Sequence, residues 1–140
     1  MISYLEYMAS RDDFPLFFRA LPVLGRDGTL WDIQRESPAA GHVHAKTGTL
    51  GAYNALGRTL IVTGKGLAGY VDTTDGRRLA FAIYANHTAV PADDPDAVTK
   101  IVGQALGEIA ATAYDVPPEK PAQKPAGKPA KKAGKTPAKK

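Results

Sequence analysis

The strongest constraint on the fold of this chain is a pair of apolar runs that flank a tight turn. Residues 67–71 and 79–85 both alternate apolar side chains with a period of two, and Asp75 and Gly76 lie between the runs. This pattern predicts a β-hairpin, because alternation buries one face of each strand and Asp-Gly suits a short turn. The face expected to pack against a helix carries Leu79, Phe81, Ile83 and Ala85.

A C-terminal helix is predicted to cover that face. Asp93 or Asp94 can cap it, Pro95 fits its first turn, and the periodicity ends near Tyr114. The apolar positions recur at helical spacing, and they are Val98, Ile101, Val102, Ala105, Leu106, Ile109 and Ala113. An antiparallel sheet packed by a C-terminal helix is an α+β fold.

The first 25 residues predict two short helices. Asp12 and Asp13 can cap the second helix, in which Pro15 is tolerated in the first turn. Its aromatic residues are expected to pack in the core rather than to stack on a ligand, and they are Phe14, Phe17 and Phe18. Farther along, residues 51–55 are predicted to form a loop, residues 59–63 a short strand, and Gly64-Lys65-Gly66 a turn.

The last 24 residues differ in composition from the rest of the chain. Residues 117–140 contain eight lysines, one glutamate and frequent prolines, whereas residues 1–116 carry a net charge of −3 within a total of +4. Proline prevents a regular helix and no large apolar residue is available for burial, so a disordered, polycationic tail is predicted. The remaining domain, residues 1–116, has no basic surface that predicts nucleic-acid binding.

The chemistry of the chain is concentrated in residues 41–50, which are predicted to form a strand. Alternation places Lys46 and Gly48 on one side and Thr47 and Thr49 on the other. An ammonium, two hydroxyls and a glycine that admits a second backbone suit the binding of a carboxylate beside an oxyanion. A pocket that uses both sides must lie against an edge of the sheet.

His42 and His44 are expected on the same side of this strand as Lys46. Two histidines could chelate a metal, but without a third ligand a solvated strand face is favoured, and no metal or cofactor is predicted. The chain has no cysteine, so thiolate sites and disulfides are excluded.

Six blocks of sequence in one fixed order resemble the C-terminal part of D-alanyl-D-alanine carboxypeptidases, the serine DD-peptidases of the low-molecular-mass penicillin-binding group. The blocks are residues 21–25, 27–30, 37–41, 46–50, 67–71 and 75–82. The resemblance implies a partial penicillin-binding/serine β-lactamase-like fold over residues 1–116. It also implies that Lys46 supports the electrostatics of the pocket, Thr47 binds the substrate carboxylate, Gly48 leaves room for the substrate, and the Thr49 amide donates to the oxyanion.

Two further motifs of that family are absent. The three serines, Ser3, Ser10 and Ser37, are followed three residues later by Glu6, Asp13 and Ala40, so no Ser-x-x-Lys nucleophile motif occurs. Tyr84-Ala85-Asn86 matches the family's Tyr-x-Asn variant but follows Lys-Thr-Gly instead of preceding it, so it is interpreted as strand packing and an exit turn. The connection from Leu50 to Leu67 is longer than expected for common members of the family.

The sequence therefore predicts the C-terminal fragment of a serine-type D-Ala-D-Ala carboxypeptidase that acts on peptidoglycan stem peptides and is inactive alone. The resemblance implies stem peptides and β-lactams as ligands and an extracytoplasmic location in the cell envelope, although no export signal or membrane-spanning run is expected in the sequence as written. Two alternatives stay open. One is a non-catalytic peptidoglycan-binding module; the other is a protein whose tail binds nucleic acid or another anionic polymer, or merely solubilises it.

Overall fold

The computed structural model describes residues 1–54, 56, 59–88 and 95–118, and it shows an α+β arrangement of helices on both faces of an antiparallel sheet. The elements in chain order are α1 (Ile2–Ala9), α2 (Phe14–Ala20), a 3₁₀ turn (Gly28–Leu30), β1 (Val43–Asn54), β2 (Thr59–Asp72), β3 (Arg78–Asn86), α3 (Pro95–Thr112) and a second 3₁₀ turn (Ala113–Asp115). The predicted cap at Asp93 or Asp94 and nearly all of the predicted tail lie outside the described residues.

The sheet of the described part has the order β1-β2-β3, with antiparallel neighbours. The predicted hairpin around Asp75 and Gly76 is confirmed as the β2–β3 connection. Gly76 has a φ of 82°, a conformation that glycine adopts without the steric cost of a side chain. Thr73 stabilises the turn, because its hydroxyl accepts a hydrogen bond from the Arg77 amide at 3.1 Å.

The predicted loop at residues 51–55 was wrong for residues 51–54, residue 55 lying outside the described residues, and the predicted turn at residues 64–66 was wrong. β1 continues to Asn54, and Gly64-Lys65-Gly66 lies inside β2. The register shifts by one residue after the Leu50–Gly64 pair, which marks a bulge in β2. Glycine weakens a strand locally, but pairing with β1 on one side and β3 on the other supplies the hydrogen bonds that keep this segment extended.

The main core lies between the sheet and α3. Phe81, Ile83 and Ala85 pack against it, so the predicted helix-facing side of β3 is confirmed for these three residues. The buried members of the core are Leu24, Leu30, Ile33, Ala39, Val43, Ala45, Leu67, Val71, Val102, Leu106 and Ala110.

The predicted apolar stripe of α3 is correct in its middle and wrong at one flank. Val102 and Leu106 are buried, but Ile101 and Ile109 are 46% and 54% exposed. The helix instead turns its glycines toward the core, and a Cβ at Gly107 would clash with Ile33. Close approach at small residues therefore selected the contact face, which apolar periodicity alone does not specify.

Helices α1 and α2 cover part of the opposite face of the sheet. Tyr70 of β2 is 1% exposed and donates a hydrogen bond of 2.7 Å to the Leu5 carbonyl of α1. The Phe14 ring meets the Tyr70 ring edge-on at 5.2 Å, but the predicted core role of Phe14, Phe17 and Phe18 is met only in part, because all three are half-buried and lie outside the main core. Asp13 occupies the N-cap position of α2 without a capping bond, because its carboxylate pairs with Arg11 at 2.8 Å.

The outer edge of β1 is covered only over its first residues in the described part of the chain. The Leu24 amide donates to the Val43 carbonyl at 2.9 Å, and the Ala45 amide donates to the Pro22 carbonyl at 2.9 Å. Beyond Ala45 no described backbone segment pairs with this edge. The strand is therefore enclosed at its start and open from Lys46 onward.

Candidate functional site

The Lys46 side chain lies at the open edge of β1. It is exposed, and its Nζ donates to the Thr47 carbonyl at 2.9 Å and to Thr47 Oγ1 at 3.4 Å. Both acceptors are neutral and belong to the next residue of the same strand. The ammonium therefore has no charged partner among the described residues and can turn toward an anion placed along the edge.

The Thr47 hydroxyl joins the strand to the first 3₁₀ turn. Thr47 Oγ1 lies 3.2 Å from Thr29 Oγ1, and Thr47 is half-buried. Each hydroxyl can donate one hydrogen bond and accept others. This pair therefore holds the Thr47 side chain in one position while leaving it able to bind a further polar group.

The backbone at this edge presents amides that have no acceptor in the described part of the chain. The Ala45 amide points outward to Pro22, and outward groups recur at every second residue of an antiparallel strand, so the Thr47 and Thr49 amides point the same way. Between them, a Cβ built on Gly48 would have no neighbour within 4 Å. An extended peptide could approach this edge and form main-chain hydrogen bonds.

A cavity of about 640 Å³ adjoins the edge on the side of α1 and α2, and all four site residues predicted from the sequence line it. Its volume is that of an ordinary small-ligand pocket. Its walls are mainly apolar and come from α1, α2 and all three strands. The lining residues besides Lys46, Thr47, Gly48 and Thr49 include Met1, Tyr4, Phe17, Leu21, Leu50, Gly66, Tyr84 and Asn86.

Tyr84 and Asn86 reach this cavity from the end of β3. Tyr84 packs over Gly66 of β2, where an added Cβ would lie 3.0 Å from its ring. Strand packing of Tyr84 is what the sequence predicted. The sequence did not predict that this Tyr-x-Asn match lies close to Lys46. The two come together because β3 pairs with β2 in a register that places Tyr84 opposite Gly66.

Sequence reasoning missed Lys65, which lies opposite Thr49 on β2. It is 7% exposed, and its Nζ donates to Thr49 Oγ1 at 3.2 Å. Burial lowers the pKa of this lysine from 10.5. Lys65 lies two residues before Leu67, and residues two apart in a strand share a face. This spacing would have placed Lys65 on the core face if residues 64–66 had been predicted as strand instead of turn.

His42 and His44 contact different elements instead of sharing a face. β1 begins at Val43, so His42 lies in the preceding turn, and its ring packs on Tyr114 at 4.7 Å. His44 stacks on Phe18 at 4.0 Å, and burial lowers its pKa from 6.5. Within the described ranges, no group of three or more histidine and acidic side chains could hold a metal.

None of the described helices is long and apolar enough to span a membrane.

The chain is similar to known proteins in sequence and in fold. The model of the D-Ala-D-Ala carboxypeptidase 3 (S13) family matches residues 1–106. No curated protein matches the chain with a significant score.

Among solved structures, the fold is similar to penicillin binding protein 4 (dacB) from Haemophilus influenzae, with a TM-score of 0.55 and 22% identity over 82% of this chain. The same protein complexed with a β-lactam gives the same score and identity. The chain spans about a quarter of the length of these relatives, 23% and 24%. The family match covers most of the chain, and the structural likeness supports the same fold. The chain belongs to the D-Ala-D-Ala carboxypeptidase 3 (S13) family.

Proposed function

We propose that residues 1–116 are the C-terminal portion of a serine-type D-Ala-D-Ala carboxypeptidase and supply its substrate-binding strand. The parent enzyme would cleave peptidoglycan stem peptides through an acyl-enzyme. The observation that carries this proposal is the convergence of Lys46, Thr47, Gly48 and Thr49 on one cavity beside an open strand edge.

Each residue has a role that its position allows. The substrate peptide would pair with the free edge of β1, with Gly48 leaving room for it. The Thr47 hydroxyl and the Lys46 ammonium would bind the terminal carboxylate, because an ionised acceptor strengthens both hydrogen bonds. The Thr49 amide would be one oxyanion donor, a contribution of about 3–4 kcal/mol to transition-state stabilisation in serine acyl transfer.

The nucleophile would come from another part of the parent protein. None of the three serines of this chain lines the large cavity. Ser10 Oγ donates to the Tyr7 carbonyl at 2.7 Å, and Ser37 Oγ accepts from the Ala39 amide at 3.2 Å, so both serve local turns. We therefore expect the chain alone to be inactive.

Family membership also suggests the ligands and the location of the protein. Stem peptides and β-lactams would be its ligands, and the cell envelope, outside the cytoplasm, would be its location. The Lys/Pro/Ala-rich segment from residue 117, with its eight lysines, would have an affinity for anionic polymers.

The acylation experiment uses the purified 140-residue chain and benzylpenicillin. Intact-mass spectrometry should show no covalent adduct, because no activated serine is present. A stoichiometric mass increase would contradict the assignment of the nucleophile to another segment.

The substrate-strand experiment uses two-dimensional amide NMR with an acetylated peptide that ends in D-Ala-D-Ala. The amide signals of residues 46–50 should shift on titration, and the shifts should be lost in Thr47→Val, which keeps the shape but not the hydroxyl. A peptide ending in L-Ala-L-Ala is the matched ligand control. Absence of any shift at millimolar peptide would contradict the proposed strand.

A non-catalytic peptidoglycan-binding module is the second candidate. The observation that favours it is that the described residues form the large cavity without the rest of a parent enzyme. This candidate requires the same Thr47-dependent peptide binding by the isolated chain, together with no gain of acylation when a family segment containing Ser-x-x-Lys is added. Acylation under those conditions would favour the enzyme.

A further inference from the structure

The hydroxyl of Thr47 is held from outside the sheet, by the first 3₁₀ turn. Thr47 Oγ1 lies 3.2 Å from the Oγ1 of Thr29, the middle residue of that turn. A hydroxyl that donates its proton to a carboxylate still has lone pairs that can accept a hydrogen bond. Thr29 is placed to donate that second bond, so its position affects how Thr47 presents its proton to a ligand.

The start of this turn is fixed by local contacts. The Asp27 carboxylate accepts a hydrogen bond of 2.7 Å from the Val23 amide. Gly28 has a φ of 54°, and a Cβ added there would lie 3.0 Å from the ring of Pro22. Glycine therefore lets the turn pack against the residue whose carbonyl pairs with the edge of β1.

The chain that leaves the turn is tied to α3 by one side chain, that of Gln104. Its Nε2 donates to the Asp32 carbonyl at 2.8 Å, and its Oε1 accepts from the Gln34 amide at 3.3 Å. Gln34 has a φ of 53°, a left-handed conformation that is unfavourable for a residue with a side chain and persists only when its surroundings hold it. The two hydrogen bonds of this carboxamide supply part of that restraint.

Close packing carries the restraint from α3 to the turn. Ile33, between the two residues that Gln104 binds, is buried in the main core. A Cβ added to Gly107 of α3 would clash with Ile33 and lie 3.5 Å from Gln34 Cγ. Only two residues separate Thr29 from Asp32. A displacement of this segment therefore also displaces the Thr29 hydroxyl.

We propose that Gln104 and Thr29 are positioning residues for Thr47: Gln104 holds the 3₁₀ turn in place, and Thr29 orients the Thr47 hydroxyl. When a carboxylate binds, Thr47 donates its proton to the carboxylate and Thr29 donates to Thr47 Oγ1. Neither positioning residue lines the large cavity. The effect on binding rests on the proposed function, whereas the orientation of Thr47 can be measured without a ligand.

The Thr47 side chain of the ligand-free 140-residue chain provides the first test. Three-bond NMR couplings from its methyl carbon to the backbone nitrogen and carbonyl carbon report its rotamers. We expect one dominant rotamer in the unaltered chain and averaged couplings in Thr29→Val, which keeps the shape of residue 29 but loses the hydroxyl. Thr29→Ser keeps the hydroxyl and should restore one rotamer. Couplings that are the same in Thr29→Val and the unaltered chain would overturn the role of Thr29.

The same couplings test Gln104 from a distance. Gln104→Met keeps the length of the side chain and removes both hydrogen bonds, so the Thr47 couplings should average although Thr29 is intact. Glu108→Met changes an exposed residue one turn farther along α3 and should leave them unaltered. Gln104→Glu keeps only the acceptor for the Gln34 amide, should give a smaller change, and decides the point if Gln104→Met does not fold. Unchanged couplings in the folded variant would overturn the role of Gln104.

The effect on binding is measured by titration with the acetylated peptide that ends in D-Ala-D-Ala. Thr29→Val and Gln104→Met should each weaken the affinity by about two- to tenfold, the net effect of one hydrogen bond. The double variant should bind no more weakly than the weaker single variant, because both changes act through one hydroxyl. Additive losses or unchanged affinities would overturn the positioning role.

The two proposals can be told apart by these measurements. If the couplings change as expected but the peptide binds to no form of the chain, the proposed function fails and the positioning of Thr47 by Gln104 and Thr29 stands. If the peptide binds to the unaltered chain and the couplings do not respond to the variants, the positioning role fails and the substrate strand stands.

Discussion

The two halves of β1 differ sharply although they belong to one strand. Val43 and Ala45 are fully buried and paired on both edges, by Leu24 and Pro22 on the outside and by β2 on the inside. From Lys46 to Leu50 the outer edge is open in the described part of the chain, and Leu50 is 69% exposed. The first half contributes stability, whereas the second keeps backbone amides and polar side chains available for a ligand.

The contrast shows how one strand can both stabilise the fold and position a binding site. Burial of the first half fixes the register, and because strand residues alternate, that register also fixes the directions of Lys46, Thr47 and Thr49. A ligand-binding edge thus obtains its geometry from neighbours that do not touch the ligand.

The largest expected effect comes from a pair of leucine replacements, one beside the buried half of β1 and one in its open half. Leu24 is 0% exposed and pairs with the first half, so Leu24→Ala should lower the free energy of unfolding by about 2–5 kcal/mol through lost burial and a cavity. Leu50→Ala in the open half should change it by less than about 0.5 kcal/mol. Urea denaturation measures both, and equal losses would contradict the division of the strand.

A smaller effect is expected at the contact that anchors α1 to the sheet. Tyr70→Phe removes the buried hydrogen bond to the Leu5 carbonyl and should cost about 0.5–1.5 kcal/mol of unfolding free energy. Tyr84→Phe is the control, because Tyr84 is exposed and lines the open cavity. Thermal and urea unfolding should agree, and a larger loss from Tyr84→Phe would show that the open side is also structural.

The buried half of β1 should also make the stability of the protein depend on pH, through His44. Burial lowers the pKa of His44 below 6.5, with Asp72 opposing and Arg78 adding to the shift. The unfolded chain therefore binds the proton more readily, so stability should fall as the pH drops through 6.5, and the loss should be complete below the pKa of the folded state. Urea midpoints measured from pH 7.5 to 5 report this loss.

His44→Phe should reduce the histidine-dependent part of that loss while keeping the stack on Phe18. His87→Gln, at an exposed position beyond β3, is the control and should leave the pH dependence unchanged. An unaltered profile in His44→Phe would assign the acid sensitivity to other groups.

The smallest expected change in stability is at the proposed carboxylate ligand. Lys46→Met should alter the free energy of unfolding by less than about 0.5 kcal/mol, because Lys46 is exposed and bonds only to its neighbour in the described structure. The same variant should weaken binding of the D-Ala-D-Ala peptide in the amide titration. Unchanged peptide affinity would remove Lys46 from the proposed site.

Much of the fold was predictable because it depends on local pattern. Alternation and Asp75-Gly76 predicted the β2–β3 hairpin, and helical spacing predicted α3 up to its last turn. The candidate site was also found from Lys46, Thr47, Gly48 and Thr49, which are contiguous and need no tertiary information to be recognised. Their roles remain a prediction.

The wrong predictions occur where contacts with neighbouring strands and helices outweigh the local conformational preference of the residues. Glycines at 64 and 66 favour a turn in isolation, but strand pairing on both sides keeps β2 continuous there. The contact face of α3 was misjudged at Ile101 and Ile109, because close packing at Gly103 and Gly107 set the rotation of the helix.

The sequence by itself determined the secondary structures with strong periodicity, the family resemblance and the four contiguous residues of the proposed substrate strand. The tertiary structure decided that the edge of β1 is open beyond Ala45 in the described part and that Tyr84 and Asn86 line the same cavity as Lys46. It also decided that Lys65 is buried with no carboxylate of the described residues beside it. These properties depend on which strands pair and in which register. Register is set by burial across the whole sheet, so it cannot be read from any one segment.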